Sequence, residues 1–247
     1  MLLNEEFPPD FRVEKEAKSL MQAGHKVHIL CYTSQHKPKE ENHHGILVKR
    51  FQIHRSLRDK LYALYLVLPF YRWIWKHQLN KVLKQDEYDA LHIHDLPMSD
   101  LGVYFKKKYN LKLVCDQHEY YSNWIGQNAH MNTLVVKIVK KLSNWDKYEK
   151  QNLKKADLVA SVEEPLRQVY VREVGIPDER VISLPNTPPG NFSQTPLDQS
   201  LVESYNKNFV LFYVGGIDIL RGIDTAIKAL PEIAQKVPHV KMILAGK

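Results

Sequence analysis

The chain has 247 residues, a net charge of +7, 44% apolar residues and 26% charged residues. That length can bury a sizeable core and exceeds one ordinary domain, and the composition excludes an intrinsically disordered chain. Only Cys31 and Cys115 are present, each in an apolar run without zinc spacing; this excludes a disulfide-stapled scaffold and predicts reduced thiols in a cytosolic setting.

The opening "MLLNEEFPPD" has no basic start and a short apolar run, so no signal peptide is expected. "MLLNE" reads as a first strand, followed by the polar loop "EEFPPDFR". Asp10 is placed to cap a helix that carries Val13, Ala17, Leu20 and Met21 on one face and stops at Gly24. "KVHILCY" (26–32) and "ILVKRFQI" (46–53) follow as strands joined by a polar loop.

Residues 57–85 predict helix, broken near Pro69. The apolar run 61–75 is too short to span a bilayer and is interrupted by Pro69 and Arg72. Residues 55–84 concentrate the charge: Arg55, Arg58, Lys60, Arg72, Lys76, Lys81 and Lys84 stand against Asp59 alone, interleaved with Tyr62, Tyr65, Phe70, Tyr71, Trp73 and Trp75. Cations mixed with aromatic rings suit an anionic membrane surface. The same pattern also describes a solvated helix with a buried aromatic face. No recognised motif accompanies the charge to indicate nucleic acid.

"DALHIHD" (89–95) reads as a strand, 98–109 as a helix with a basic end, and "KLVCD" as the next strand. A long amphipathic helix is expected over 133–154, then the strand 157–162, a helix over 163–174 and the strand 180–186. After Asn186 the proline-rich stretch "TPPGNFSQTPLDQS" reads as a linker. "FVLFYV" (209–214), a glycine turn, a helix from Ile223 and "VKMILAG" (240–246) make one further βαβ unit. Strands alternating with helices of this length predict an α/β architecture with parallel sheets.

In such sheets ligands bind beyond the carboxyl ends of the strands. There the sequence places Asp116, His118 and Glu119 after "KLVC", His94 and Asp95 after "LHI", and the loop after the first strand. Two chemistries fit. His92 and His94 share a strand face and, with Asp95, Asp116 and His118, have the residue types of a metal site. Alternatively, His118 is a lone acid–base or hydrogen-bonding group whose tautomer a carboxylate fixes. In the later unit, Gly215 and Gly216 allow close backbone approach, and the helix start near Arg221 attracts phosphate.

Taken in order, "FPPDFRVEKEAKSLMQAGHKVHIL", "LHIHDLP", "LVCDQHEYY", "ADLVASVEEPLRQVYVREVGIPDERVISLPN" and "FVLFYVGGIDILRGIDTAIKALPEI" resemble the landmarks of glycosyltransferase family 4, retaining enzymes of the GT-B fold. The resemblance covers nearly the whole chain. It implies an acceptor-side Rossmann-like domain over 1–186, a linker over 187–206, and the start of a nucleotide-sugar-binding domain over 207–247. It also implies a hexosyltransferase that moves sugar from a nucleotide-sugar donor to a glycan or lipid-linked acceptor of the cell envelope. Such an enzyme would be cytoplasmic or peripheral on the inner membrane face. His118 matches the histidine beside the reacting sugar; Asp95, Glu119 and Arg12 fall on the acceptor side; Gly215, Gly216 and Arg221 fall on the donor diphosphate. No metal is expected, nor any cofactor beyond the nucleotide sugar as co-substrate.

Two departures stand out. The family usually carries Arg then Lys in the turn after "VG", whereas these positions hold Gly216 and Arg221. The family's paired-glutamate motif would fall beyond Lys247, so a fragment of a longer enzyme is expected. Two other classes remain open: a non-catalytic module docking to membrane or partner through 55–84, and a metal-dependent hydrolase built on His92 and His94.

Overall fold

The structure is a computed structural model and describes residues 1–123, 144–187, 196–217 and 221–246. Two compact units divide it, Met1–Thr187 and Pro188–Lys247.

The first unit is an eight-stranded sheet. Its strands are β1 (Leu2–Glu6), β2 (His28–Thr33), β3 (Glu40–His43), β4 (Ile46–Gln52), β5 (Ala90–His94), β6 (Lys112–Gln117), β7 (Leu158–Ser161) and β8 (Val181–Ser183). Their order is β3-β4-β2-β1-β5-β6-β7-β8. All pairings are parallel except β3 with β4. The chain builds outward from β1 through β2 to β4 and β3, then returns to the other side of β1 with β5. The β1/β5 boundary is therefore the topological switch point, where an open parallel sheet forms its crevice.

β3 lies in the stretch whose sequence reads as a polar loop. Glu40–His43 has no alternating apolar pattern, and its antiparallel pairing to β4 at the sheet edge is made by backbone groups.

Helices cover both faces. They are α1 (Phe11–Gln22), α2 (Arg55–Ala63), α3 (Phe70–Leu83), α4 (Ser99–Tyr109), α5 (Trp145–Leu153) and α6 (Glu164–Val169), the last extended by a π-helical turn through Val174. Asp10 caps α1, accepting from the backbone N–H groups of Arg12 and Val13. The break between α2 and α3 falls over 64–69, with Pro69 preceding the first residue of α3. The expected helix over 133–154 is seen as α5, and 133–143 lie outside the described residues.

Strand alternation divides the core into two layers. One holds Leu2, Leu30, Tyr32, Phe51, Ile93, Leu113, Cys115 and Val159 with Trp75 and Leu79 of α3 and Phe105 of α4. The other holds Leu3, Ile29, Cys31, Ile46 and Val48 beneath Val13 and Ala17 of α1. Cys31 and Cys115 are free, buried thiols, one in each layer.

The aromatics of 55–84 divide likewise. Tyr65, Tyr71 and Trp75 are fully buried, whereas Phe70 and Trp73 are exposed. Arg58 belongs to the interior: its guanidinium bonds the Asn4 carbonyl and Glu5 and lies over the rings of Tyr32 and Tyr62.

The second unit contains α7 (Gln199–Tyr205), β9 (Phe209–Val214), α8 (Ile223–Lys236) and β10 (Val240–Ala245), with β9 and β10 paired in parallel register. α7 falls within the expected linker 187–206, where Asp198 caps it and none of its residues is buried. Among the described residues, no helix is long and apolar enough to cross a membrane.

Candidate functional site

The layer beneath α1 is apolar over β1, β2 and β4 but changes character over β5 and β6. On β5, Leu91 and Ile93 point into the larger core, which leaves His92 and His94 on the α1 face. On β6, Leu113 and Cys115 do the same, and Asp116 pairs in register with His94. Glu16 occupies the buried face of α1 together with Val13 and Ala17. An acid from the helix, two imidazoles and an acid from the strands thus meet inside the protein.

The Asp116 carboxylate oxygen Oδ2 lies 3.2 Å from His94 Nδ1, 3.8 Å from His92 Nε2 and 3.5 Å from His118 Nε2. Glu16 Oε2 lies 3.8 Å from His92 Nε2 and 3.9 Å from His94 Nδ1. The rings of His92 and His94 stack at 4.4 Å, and those of His94 and His118 lie nearly parallel at 6.3 Å.

Burial sets the electrostatics. It pushes the Glu16 carboxyl up to about 8, reinforced by the neighbouring Asp116 charge. Burial also opposes the charge on Asp116, but the imidazoles of His92, His94 and His118 outweigh it and hold this carboxyl well below the usual range. His94 is lowered to about 3 by desolvation, with His92 adding to the effect. Desolvation likewise lowers His118, and Asp116 opposes it. His94 and His118 are therefore neutral near pH 7.

His118 stands just past the end of β6. Its Nε2 faces Asp116, and its Nδ1 lies 3.4 Å from the side-chain nitrogen of Asn186, where the chain leaves the first unit. An amide N–H donating to Nδ1 places the ring proton on Nε2, facing the carboxylate. Lys15 of α1 holds the same exit segment, donating to the carbonyls of Pro185 and Thr187.

Asp95 follows β5 with a left-handed backbone (φ 63°) and donates its N–H to the Asp116 carbonyl. Burial pushes its carboxyl up to about 7 against the attraction of Arg12. Arg12, in the first turn of α1, pairs with Asp10 at 3.0 Å. Glu119 is exposed, and its carbonyl accepts from the Tyr170 hydroxyl. The sequence-predicted residues of the first unit thus gather around the switch point. Glu16 was hidden from sequence reasoning by its apolar neighbours; the signal was an acid at the i+3 position from Val13 on the buried stripe.

In the second unit, Gly215 follows β9 with φ 151°, and its N–H donates to the Ala245 carbonyl. A Cβ on Gly246 would come within 1.7 Å of the Gly215 carbonyl oxygen, so the two backbones approach as only glycine permits. Gly216 and Arg221 are exposed, Arg221 just before the start of α8.

The sequence pattern described as Glycosyltransferase Family 4 matches residues 12–187. A comparison with curated protein sequences gives no match. Among solved structures, a sucrose-phosphate synthase from Thermosynechococcus elongatus is 17% identical with a TM-score of 0.67, over 99% of this chain and 58% of that one. An α,α-trehalose-phosphate synthase (UDP-forming) from Burkholderia vietnamiensis is 10% identical with a TM-score of 0.61, over 98% of this chain and 63% of that one. HepE from Anabaena, in complex with UDP and glucose, is 19% identical with a TM-score of 0.52, over 98% and 59%. At these identities the likeness concerns the fold, which is that of the GT-B enzymes. The chain spans about three fifths of the length of these structures.

Proposed function

Because the chain belongs to glycosyltransferase family 4, we propose that it is the acceptor-side domain, with the start of the donor-side domain, of a hexosyltransferase. The donor is a nucleotide sugar, for which the UDP and glucose of HepE offer one chemical guide. The acceptor is a glycan or lipid-linked sugar of the cell envelope. The observation that carries the reading is His118, a neutral, largely buried imidazole at the switch point, oriented between Asp116 and Asn186. A neutral ring in that position can hydrogen-bond a sugar hydroxyl without placing charge beside the reacting carbon.

Around it, Asp95, Glu119 and Arg12 orient acceptor hydroxyls. Arg221 and the backbone N–H of Gly216 stabilise the departing diphosphate, with Gly215, whose own N–H is taken by the Ala245 carbonyl, allowing the close backbone approach, so the step takes no cofactor and no metal at that point. One arginine in place of two cations leaves the diphosphate dependent on Arg221. The test is nucleotide release from a panel of nucleotide sugars by the enzyme with its complete donor-side domain and by its His118→Ala variant. A loss of about 100-fold or more is expected for a group acting at the reacting sugar. Unchanged turnover would remove His118 from the mechanism.

A second reading, compatible with the first, concerns membrane docking. Exposed Phe70, Trp73 and Tyr104 lie among Lys76, His77 and Lys108, which line a shallow groove with Trp73 and Asn80. Rings beside ammonium groups suit an anionic headgroup layer and would bring the domain to a lipid-linked acceptor at the cytoplasmic face. Co-sedimentation with vesicles containing phosphatidylglycerol, abolished in Trp73→Ala, is the expected result. Recovery of the protein in the supernatant at low salt would discard this reading.

A further inference from the structure

The ionic group beneath α1 is more than a set of neighbours of His118. Glu16, His92, His94 and Asp116 each direct one ligand atom into a space where all four atoms lie within 4.8 Å of one another. Glu16 Oε2, His92 Nε2, His94 Nδ1 and Asp116 Oδ2 are all shielded from solvent, and among the described residues none has a hydrogen-bond partner. Their side chains are 8%, 14%, 1% and 2% exposed. Buried nitrogen and oxygen atoms normally find partners, because leaving one unmade costs about 1–3 kcal/mol. Four of them converging on one point is therefore an observation to be explained.

We propose that these four residues form a closed binding site for one divalent transition-metal ion, with zinc the ion its ligand set favours. Two imidazoles and two carboxylates are a borderline N2O2 set that suits zinc, whereas magnesium and calcium prefer oxygen ligands in larger shells. The geometry agrees. Metal–ligand bonds of about 2.0–2.1 Å in a tetrahedron set ligand atoms about 3.3–3.4 Å apart. Four of the six separations run from 3.2 to 3.9 Å and all six lie within 4.8 Å, so a modest inward shift of the side chains closes the cage. The charges agree too: two carboxylates neutralise one divalent cation.

Because the protein supplies all four positions, the ion has no open site for substrate, and its role is structural. It ties α1 to the ends of β5 and β6, the same ends that carry Asp95 and His118. Asp116 would then be at once a metal ligand and the neighbour of the His118 ring. The second acid-and-histidine cluster, Glu14 with His43 and His44, shares one buried unpartnered atom, His43 Nε2, but differs otherwise: His44 is largely exposed, and Glu14 is already paired with Lys18 at 2.6 Å.

The test is the metal content of the protein purified without chelator, incubated with zinc and desalted. About one equivalent per chain is expected, retained in His44→Ala and lost in Glu16→Gln and His92→Ala. Cobalt substitution of the wild type should give the intense visible absorption of a tetrahedral ion, a readout that does not depend on any variant folding. Absence of both bound zinc and the cobalt spectrum in the wild type would overturn the proposal. So would zinc retained in Glu16→Gln and His92→Ala, or lost in His44→Ala. Metal content is measured without turnover, so failure here leaves the transferase reading standing.

Discussion

The two strand ends that carry this protein's candidate chemistry are built in opposite ways. At the ends of β5 and β6, charged and imidazole groups sit inside a covered sheet, fixed by packing on both faces. At the end of β9, two glycines and an arginine sit at the surface of a two-stranded sheet whose Phe209, Phe212 and Val214 are exposed. In the first unit a wide sheet with apolar layers on both faces can bury polar groups and tune their protonation. In the second, the strand end offers backbone and one long side chain, both exposed. The two regions should therefore fail differently when mutated.

The largest contrast should be in stability. Trp75 is fully buried, with its ring edge-on to Phe51 at 4.8 Å. Trp75→Ala should destabilise the first unit by about 3–5 kcal/mol in urea unfolding. Phe212→Ala should change stability by less than about 1 kcal/mol, because little of that ring leaves water. Equal effects would mean that the second unit has a core comparable to the first. Next in size is Arg221→Ala. Loss of one charge-assisted bond to a diphosphate, about 1.5–3 kcal/mol, should raise the donor KM at least tenfold while leaving the unfolding midpoint unmoved. A shifted midpoint would show that Arg221 supports structure instead.

The smallest effect sharpens the comparison through pH. In chelator-treated protein Glu16 has its proton bound more tightly in the folded state, near 8 against an ordinary 4.5. The stability it contributes is complete below about 4.5 and is lost as pH rises toward 8. Asp95, raised to about 7, acts in the same direction over a lower window. His94 and His118 are lowered, so their contribution is complete above about 6.5 and lost as pH falls. Between pH 6.5 and 8 each of these carboxyls lowers stability by up to about 1.4 kcal/mol per pH unit, while the buried Met1 ammonium, lowered to about 5, acts in the opposite direction. Zinc, by displacing the Glu16 proton, should flatten or reverse that slope. A slope in the chelated protein left unchanged by Glu16→Gln would contradict the burial described for Glu16.

Much of the first unit was legible because its strands are short apolar runs bounded by polar ends. The two-residue spacing of His92 and His94 placed both on one face, and the shift from Leu113–Cys115 to Asp116 marked the change to polar groups, although the strand itself runs on through Gln117. Glu16 was not legible as a site residue, since a helix period identifies a buried stripe but does not say what lies opposite an acid within it. β3 was not legible either: an edge strand held by backbone pairing needs no apolar alternation. α7 was obscured by the prolines before it, although Asp198 carried the capping signal.

The hold of Lys15 on the carbonyls of Pro185 and Thr187 has a mechanical consequence. One helix grips the departing chain through Lys15 and reaches the ionic interior through Glu16, its next residue. Asn186, between the two gripped carbonyls, touches the His118 ring. A pull on the chain beyond Thr187 would be borne by α1 and felt first at that contact, making the imidazole a tension gauge for the segment that leaves the domain.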